Sequence, residues 1–422
     1  MILVKKLKNI SSFNLSRVVC LLAASAFIVS CSTTGEKVYK TPPVSPTYPA
    51  TLSWANKLIE FGPDRYVRLL PSITEKSVIV ANIEGLIKAY SRETGAPMWE
   101  KQYEAAFSAG PVVFGDIVLL GNKNAEVYAV EANNGELVWK QTVSSEVLVP
   151  PQLRNNMVVV QTNDGKIFGL RADTGKKVWV YERNVPVLSL RGNSTPSIIT
   201  DKQVVVGFAS GKLVSLSLVD GKLLWESTIS LAKGRTELER IIDIDGPIVH
   251  QNGVIYVSAY RGRVAAVDAD SGSILWTREM SSHLGVVIDK DLLFITDAEG
   301  RVWALSRDNG ATLWMQDKLS ELANTRPAIQ GDTLVVGDVV GELYWLAKSD
   351  GRLLGHLDHD RVSKYSGATF VADEFSGDEL EVEETSVIYQ ASVVDEQIFV
   401  TYQNGILASV RASNTVQNST PK

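Results

Sequence analysis

Cysteine is almost absent from this chain: two residues in 422, at positions 20 and 31. Histidine is scarce too, with four residues. There is no basic excess; 42 Lys and Arg stand against 48 Asp and Glu, a net charge of −6. That balance offers no broad cationic surface and argues against nucleic acid as the principal partner. No apolar run approaches the roughly 20 residues that a membrane-spanning helix needs. Gly-x-Ser-x-Gly and phosphate-loop motifs are missing, and no His/Asp/Ser set stands at motif spacing. What remains is ample apolar material, with 45% hydrophobic residues, which excludes disorder, collagen and coiled coil as the main class.

The first thirty residues carry Lys5, Lys6, Lys8 and Arg17 and no acid, then an apolar run from Val18 to Val29. A basic start, a short apolar stretch and small residues describe a secretory signal. The junction Ile28-Val29-Ser30-Cys31 resembles the bacterial lipobox, with Ile where Leu is commonest. That resemblance implies cleavage before Cys31 and a lipid on its thiol, with residues 1–30 as signal peptide. Cleavage takes the net charge from −6 to −10 and removes Cys20, so disulfides and thiol chemistry lose their material. Ser32 after the lipidated cysteine implies sorting to the outer membrane. Residues 31–51, rich in Pro, Thr and Ser, read as a tether from the lipid to a periplasmic body.

Self-similarity is the strongest signal. The unit is Gly-x-aliphatic-x-Ala-aliphatic, four variable residues, Gly, three more, then Trp. It ends at Trp99, Trp139, Trp179, Trp225, Trp276 and Trp314, with Gly355 in the seventh copy and a truncated eighth from Gly405. Each copy follows a Val/Ile-rich run, and its second Gly suits a tight hairpin with positive φ. The strand between is expected to alternate, as Val264, Ala266 and Asp268 suggest. A proline recurs upstream at Pro71, Pro111, Pro151, Pro196, Pro247 and Pro327, where an innermost strand should begin. Four short strands per 40–50 residues read as a β-propeller blade. The fold class is therefore all-β: an eight-bladed β-propeller of four-stranded blades over 52–410, followed by a tail, 411–422. Leu52-Ser53-Trp54-Ala55-Asn56 resembles the segment the eighth copy lacks, so the N-terminal strand around Trp54 should close the ring. One Trp per blade reads as packing between blades rather than a stacking site for a ligand.

The repeat resembles the tryptophan-docking motif of quinoprotein (PQQ-like) propellers, with GRVAAVDADSGSILW as its nearest copy. Two stretches resemble the outer-membrane protein assembly factor B (BamB) lipoprotein family within that superfamily. They are Leu188-Ser189-Leu190-Arg191-Gly192-Asn193-Ser194-Thr195-Pro196 and residues 234–240 (GRTELER) followed by Asp243-Ile244-Asp245. The resemblance implies a non-enzymatic scaffold without cofactor, held at the periplasmic face of the outer membrane by its lipid alone. It further implies contact with the POTRA domains of BamA and with other subunits of the barrel-assembly (BAM) complex, and leaves unfolded outer-membrane protein clients open as partners. The alternative class is a quinoprotein dehydrogenase using PQQ and Ca²⁺; such enzymes are usually larger and often carry a disulfide between adjacent cysteines, which this chain cannot form. A polysaccharide-binding lipoprotein fits the composition but not the two motifs.

Spacing points to the same two stretches. From the repeat Trp to the next Pro is 12 residues for Trp99–Pro111 and Trp139–Pro151, and 13 for Trp314–Pro327. Trp179–Pro196 takes 17 and Trp225–Pro247 takes 22. Enlarged connectors on consecutive blades should lie side by side on one rim, where binding usually sits. Leu188, Leu190, Arg191, Asp243 and Asp245 fall in them, apolar anchors beside charges of both signs. Other constellations carry less. His356 and His359 have ligand-like spacing but would point to opposite faces of a strand, so a solvated turn is the reading. Residues 373–384 hold seven carboxylates without the order of a calcium loop, and read as an acidic insertion.

Overall fold

The computed structural model divides at Lys40/Thr41, and everything it describes lies in the unit Thr41–Lys422. It describes residues 42, 50–57, 69–183, 194–231, 242–357, 391–402 and 405–412. These form eight four-stranded antiparallel sheets, and no helix is present among them. The architecture is an eight-bladed β-propeller. Blades 1 to 7 are continuous in the chain, over 72–102, 107–142, 152–181, 197–228, 249–279, 286–316 and 328–357. The eighth draws three strands from 392–412 and its outermost strand from Ala50–Lys57. That strand pairs Ala50 with Ala412, Trp54 with Ser409 and Lys57 with Ile406. The closing strands thus reach two residues beyond the expected 52–410 at each end.

The core lies between blades, and period-two alternation builds it. In blade 1, Ile79 and Ala81 pack with Val118, Leu120 and Tyr128 of blade 2. Val78 and Val80, one residue out of phase, pack with Trp54, Phe399 and Leu407 of blade 8. Second strands such as Ser77–Ala81 are therefore buried on both faces. The third strand of blade 5 is too, which corrects the expected alternation: Val264, Ala265, Ala266 and Val267 are all buried in Arg263–Asp268. A strand with a blade on either side has no solvent face. Of the six prolines, Pro71, Pro151, Pro196 and Pro327 immediately precede an innermost strand. Pro247 stands two residues ahead of Val249–Gln251, while Pro111 lies within Phe107–Phe114.

Each repeat tryptophan docks on the next blade. Trp139 donates its indole N–H to the Ala172 carbonyl at 2.6 Å, Trp179 to Leu218 at 2.9 Å and Trp314 to Lys348 at 2.8 Å. Its ring covers the hairpin glycine of that blade. A Cβ on Gly175 would fall 2.6 Å from Trp139, and φ there is +69°. Trp54 obeys the same rule across the closure, donating to Arg92 at 3.0 Å and covering Gly95. Gly355 is then explained. In blade 8 the third and outermost strands come from opposite ends of the described chain, so no hairpin exists there for a tryptophan from blade 7 to cover. Blade 7 carries its tryptophan on the third strand instead: Trp345, fully buried, pairs with Gly355 and donates to Gln330 Oε1 at 2.9 Å.

Candidate functional site

In an up-and-down blade, connectors to the next blade share one face of the disc with the turns between second and third strands. The tryptophan-capped hairpins take the other face. Both enlarged connectors leave from that first face and flank blade 4. Their described ends meet its second-to-third-strand turn, residues 207–211. The side chain of Arg183, just past Lys177–Tyr181, lies 5.4 Å from the Phe208 ring centroid. Its fork meets Glu226 at 2.6 and 3.4 Å, and Lys212 reaches the same carboxylate at 2.6 Å. The Arg183 fork, then the Lys212 ammonium, holds the Glu226 carboxyl at about 2, so it is ionised at neutral pH. At the other end of this connector, buried Ser194 Oγ accepts from Gly207 N at 2.7 Å and donates to Gly207 O at 3.2 Å.

The second connector begins with Ile229 N and Ser230 N both donating to the Gly211 carbonyl, at 2.8 and 3.3 Å. It returns with Ile242 and Ile244 packed among Val205, Leu213, Ile255 and Val257. Asp243 bridges to blade 5, its carbonyl accepting from Tyr260 N at 2.8 Å.

The structure departs from expectation on the aspartates. Asp243 is 0% exposed and Asp245 6%, so neither is a surface charge awaiting a partner. They sit at the described C-terminal end of the second connector. Cys31, Leu188, Leu190 and Arg191 lie outside the described residues, as do His359 and the acidic stretch 373–384. His356 is not in a solvated turn: it belongs to the strand Leu353–Leu357, half-buried and stacked on Tyr344 at 6.2 Å. Among the described residues, no three His, Cys, Asp or Glu side chains gather to hold a metal ion, and no helix is long and apolar enough to cross a membrane.

Arg183, Gly207, Phe208 and Glu226 were not singled out by the sequence, and Ser194 entered only as a letter of the motif 188–196. One signal was available. The turn's first position is Asn82, Asn122, Asp297 or Asp338 in blades 1, 2, 6 and 7, each accepting two backbone N–H bonds. Blade 4 has Phe208 there, which trades that polar cap for an apolar platform.

The comparisons with known proteins agree on one family. Residues 84–316 match the family model described as outer membrane protein assembly factor BamB. BamB of Pseudomonas aeruginosa is 41% identical over 81% of this chain and 91% of its own length. BamB of Kangiella koreensis is 37% identical over 85% and 92%, and that of Escherichia coli 32% over 77% and 85%. Among solved structures, BamB from Moraxella catarrhalis superposes with a TM-score of 0.72 at 23% identity, covering 86% of this chain and 99% of that one. A quinohemoprotein alcohol dehydrogenase from Pseudomonas putida reaches 0.63 at 12% identity, covering 89% and 78%, a likeness of fold alone.

Proposed function

The chain belongs to the family of outer membrane protein assembly factor BamB, and from that premise we propose how it serves outer-membrane barrel assembly as a scaffold. The extent of the similarity carries the reading: a relative 41% identical is matched over 81% of this chain and 91% of its own length. The scaffold acts by binding, with its enlarged connectors as the contact face toward the POTRA domains of BamA. Leu188 and Leu190 supply apolar anchors there and Arg191 a charge. Asp243, being buried, acts from below, its backbone holding the second connector to blade 5, with Asp245 buried two residues on. A lipid on Cys31 keeps the body at the periplasmic face of the outer membrane, with residues 31–51 as its tether. Other subunits of the complex and unfolded barrel clients are further partners of the same scaffold.

The quinoprotein alternative rests on a 12% identical neighbour, which speaks for the propeller only. Among the described residues no three His, Cys, Asp or Glu side chains gather to hold a metal ion, so nothing there speaks for the Ca²⁺ and PQQ of that class. No step of the proposed function passes through such a cofactor. Co-purification from detergent-solubilised membranes tests the assignment: the tagged chain should bring down BamA, and its absence from the eluate would contradict a place in that complex. Absorbance after adding PQQ and Ca²⁺ separates the two classes, since a bound quinone spectrum would favour the enzyme.

A further inference from the structure

The described ends of both enlarged connectors converge on one five-residue turn of blade 4. Arg183 and Ser194, which flank residues 184–193, land on the neighbours Phe208 and Gly207. Ile229 and Ser230 hang from the Gly211 carbonyl, while Ile242 packs on Gly211 and Ile244 on Gly207. The two glycines are required by this crowding. A Cβ at Gly207 would fall 2.5 Å from Ile244 Cγ2 and 2.9 Å from Ser194 Oγ. At Gly211, where φ is +68°, it would collide with the Ser230 carbonyl and stand 3.0 Å from Ile242 Cγ2. Blade 3 adds a further tie, Gln161 donating to the Gly207 carbonyl at 3.3 Å.

Both connectors therefore share one neck, and its ionic fastening among the described residues centres on Glu226, which pairs with Arg183 and with Lys212. We propose that the turn 207–211, with Arg183 clamped between Phe208 and Glu226, is the positioning device of the interface, fixing the bases of both connectors so that BamA meets one preorganised surface. This rests on the reading of the connectors as the contact face. Arg183 and Glu226 are positioning residues, not contacts. Their worth lies in ordering cost removed before binding, so loosening them weakens affinity without subtracting any contact area.

The test measures affinity of the full mature chain for purified BamA POTRA domains, alongside thermal melts and timed trypsin digestion. Arg183→Ala and Glu226→Gln should each weaken binding about tenfold, an effect of lost preorganisation, with melts close to wild type. Arg183→Lys should recover part of the affinity, since it keeps the charge and loses the fork. Tryptic cleavage after Arg191 and Arg235 should quicken while cleavage elsewhere does not. Combined with Leu188→Ala/Leu190→Ala, the clamp variants should be less than additive, because a connector without its anchors has little left to position. Wild-type affinity in Arg183→Ala, alongside a loss in Leu188→Ala/Leu190→Ala, overturns the positioning role and leaves the contact face standing. Wild-type affinity in both sets overturns the contact face, and the clamp with it.

Discussion

Asp338 holds a carboxyl in blade 7 where blade 2 has a neutral amide, and this should make stability depend on pH. Its Oδ1 accepts from Val340 N and Glu342 N, each at 2.9 Å. Tyr344 Oη stands 3.0 Å from both Asp338 Oδ2 and Glu342 Oε2. One phenolic proton cannot serve two ionised carboxylates. Burial is the main cause that pushes Asp338 up to about 7 from 3.8. Because the folded value is raised, the favourable contribution is fully present below about 4 and is lost as pH climbs toward 7. Above that, the native state must hold a buried anion. Three units at 1.36 kcal/mol each set a ceiling of about 4 kcal/mol, and water access trims this to about 2–4. Blade 2 shows the remedy. Asn122 makes the same two turn bonds, and its amide donates to Glu126 at 2.8 Å while Tyr128 donates to the same carboxylate at 3.1 Å. Asp338→Asn should therefore match wild type near pH 4 and gain steadily to a plateau above pH 7. Urea unfolding at pH 4, 5.5, 7 and 8 measures the gap. A gap that does not change across that range, or a variant less stable at pH 8, would refute the reasoning.

Two further predictions test the ring. Trp54→Ala removes a ring 5% exposed that packs on Phe399 at 6.0 Å and bonds to Arg92, so it should cost about 3–5 kcal/mol; an unchanged urea midpoint would show that the ring does not depend on this closure. Gly355→Trp restores the repeat's letter but faces Trp345 with no hairpin to cover, so it should destabilise by about 1–3 kcal/mol of overpacking. A gain in stability would mean that the missing tryptophan is a mere gap.

The blades were legible because their determinants are local and periodic. The hairpin glycine, the tryptophan and the Val/Ile run recur in register, and the truncated eighth copy named its own missing strand. The double burial of the third strand of blade 5 was not legible, because Asp268 imitates an outward position while the flanking blades cover Val264 to Val267 on both sides. Spacing found the enlarged connectors but not their neck, since Arg183 meets Glu226 and Ser194 meets Gly207 through pairings between separate strands. The burial of Asp243 and Asp245 was hidden for a related reason. A carboxylate in a long connector reads as solvated, and only the Ile242 and Ile244 side chains between them and the core show that this segment is packed inward.

The contact face is the centre of this account, and affinity for the POTRA domains of BamA tests it most directly. Removing the two proposed leucine anchors, at about 1.5–3 kcal/mol for each side chain fully buried, should weaken binding by roughly a hundredfold or more. Leu188→Ala/Leu190→Ala should therefore lose the complex at concentrations where the wild-type chain forms it, while melting like wild type. A folded double variant that still binds the POTRA domains with wild-type affinity would contradict the assignment and move the interface elsewhere on the disc.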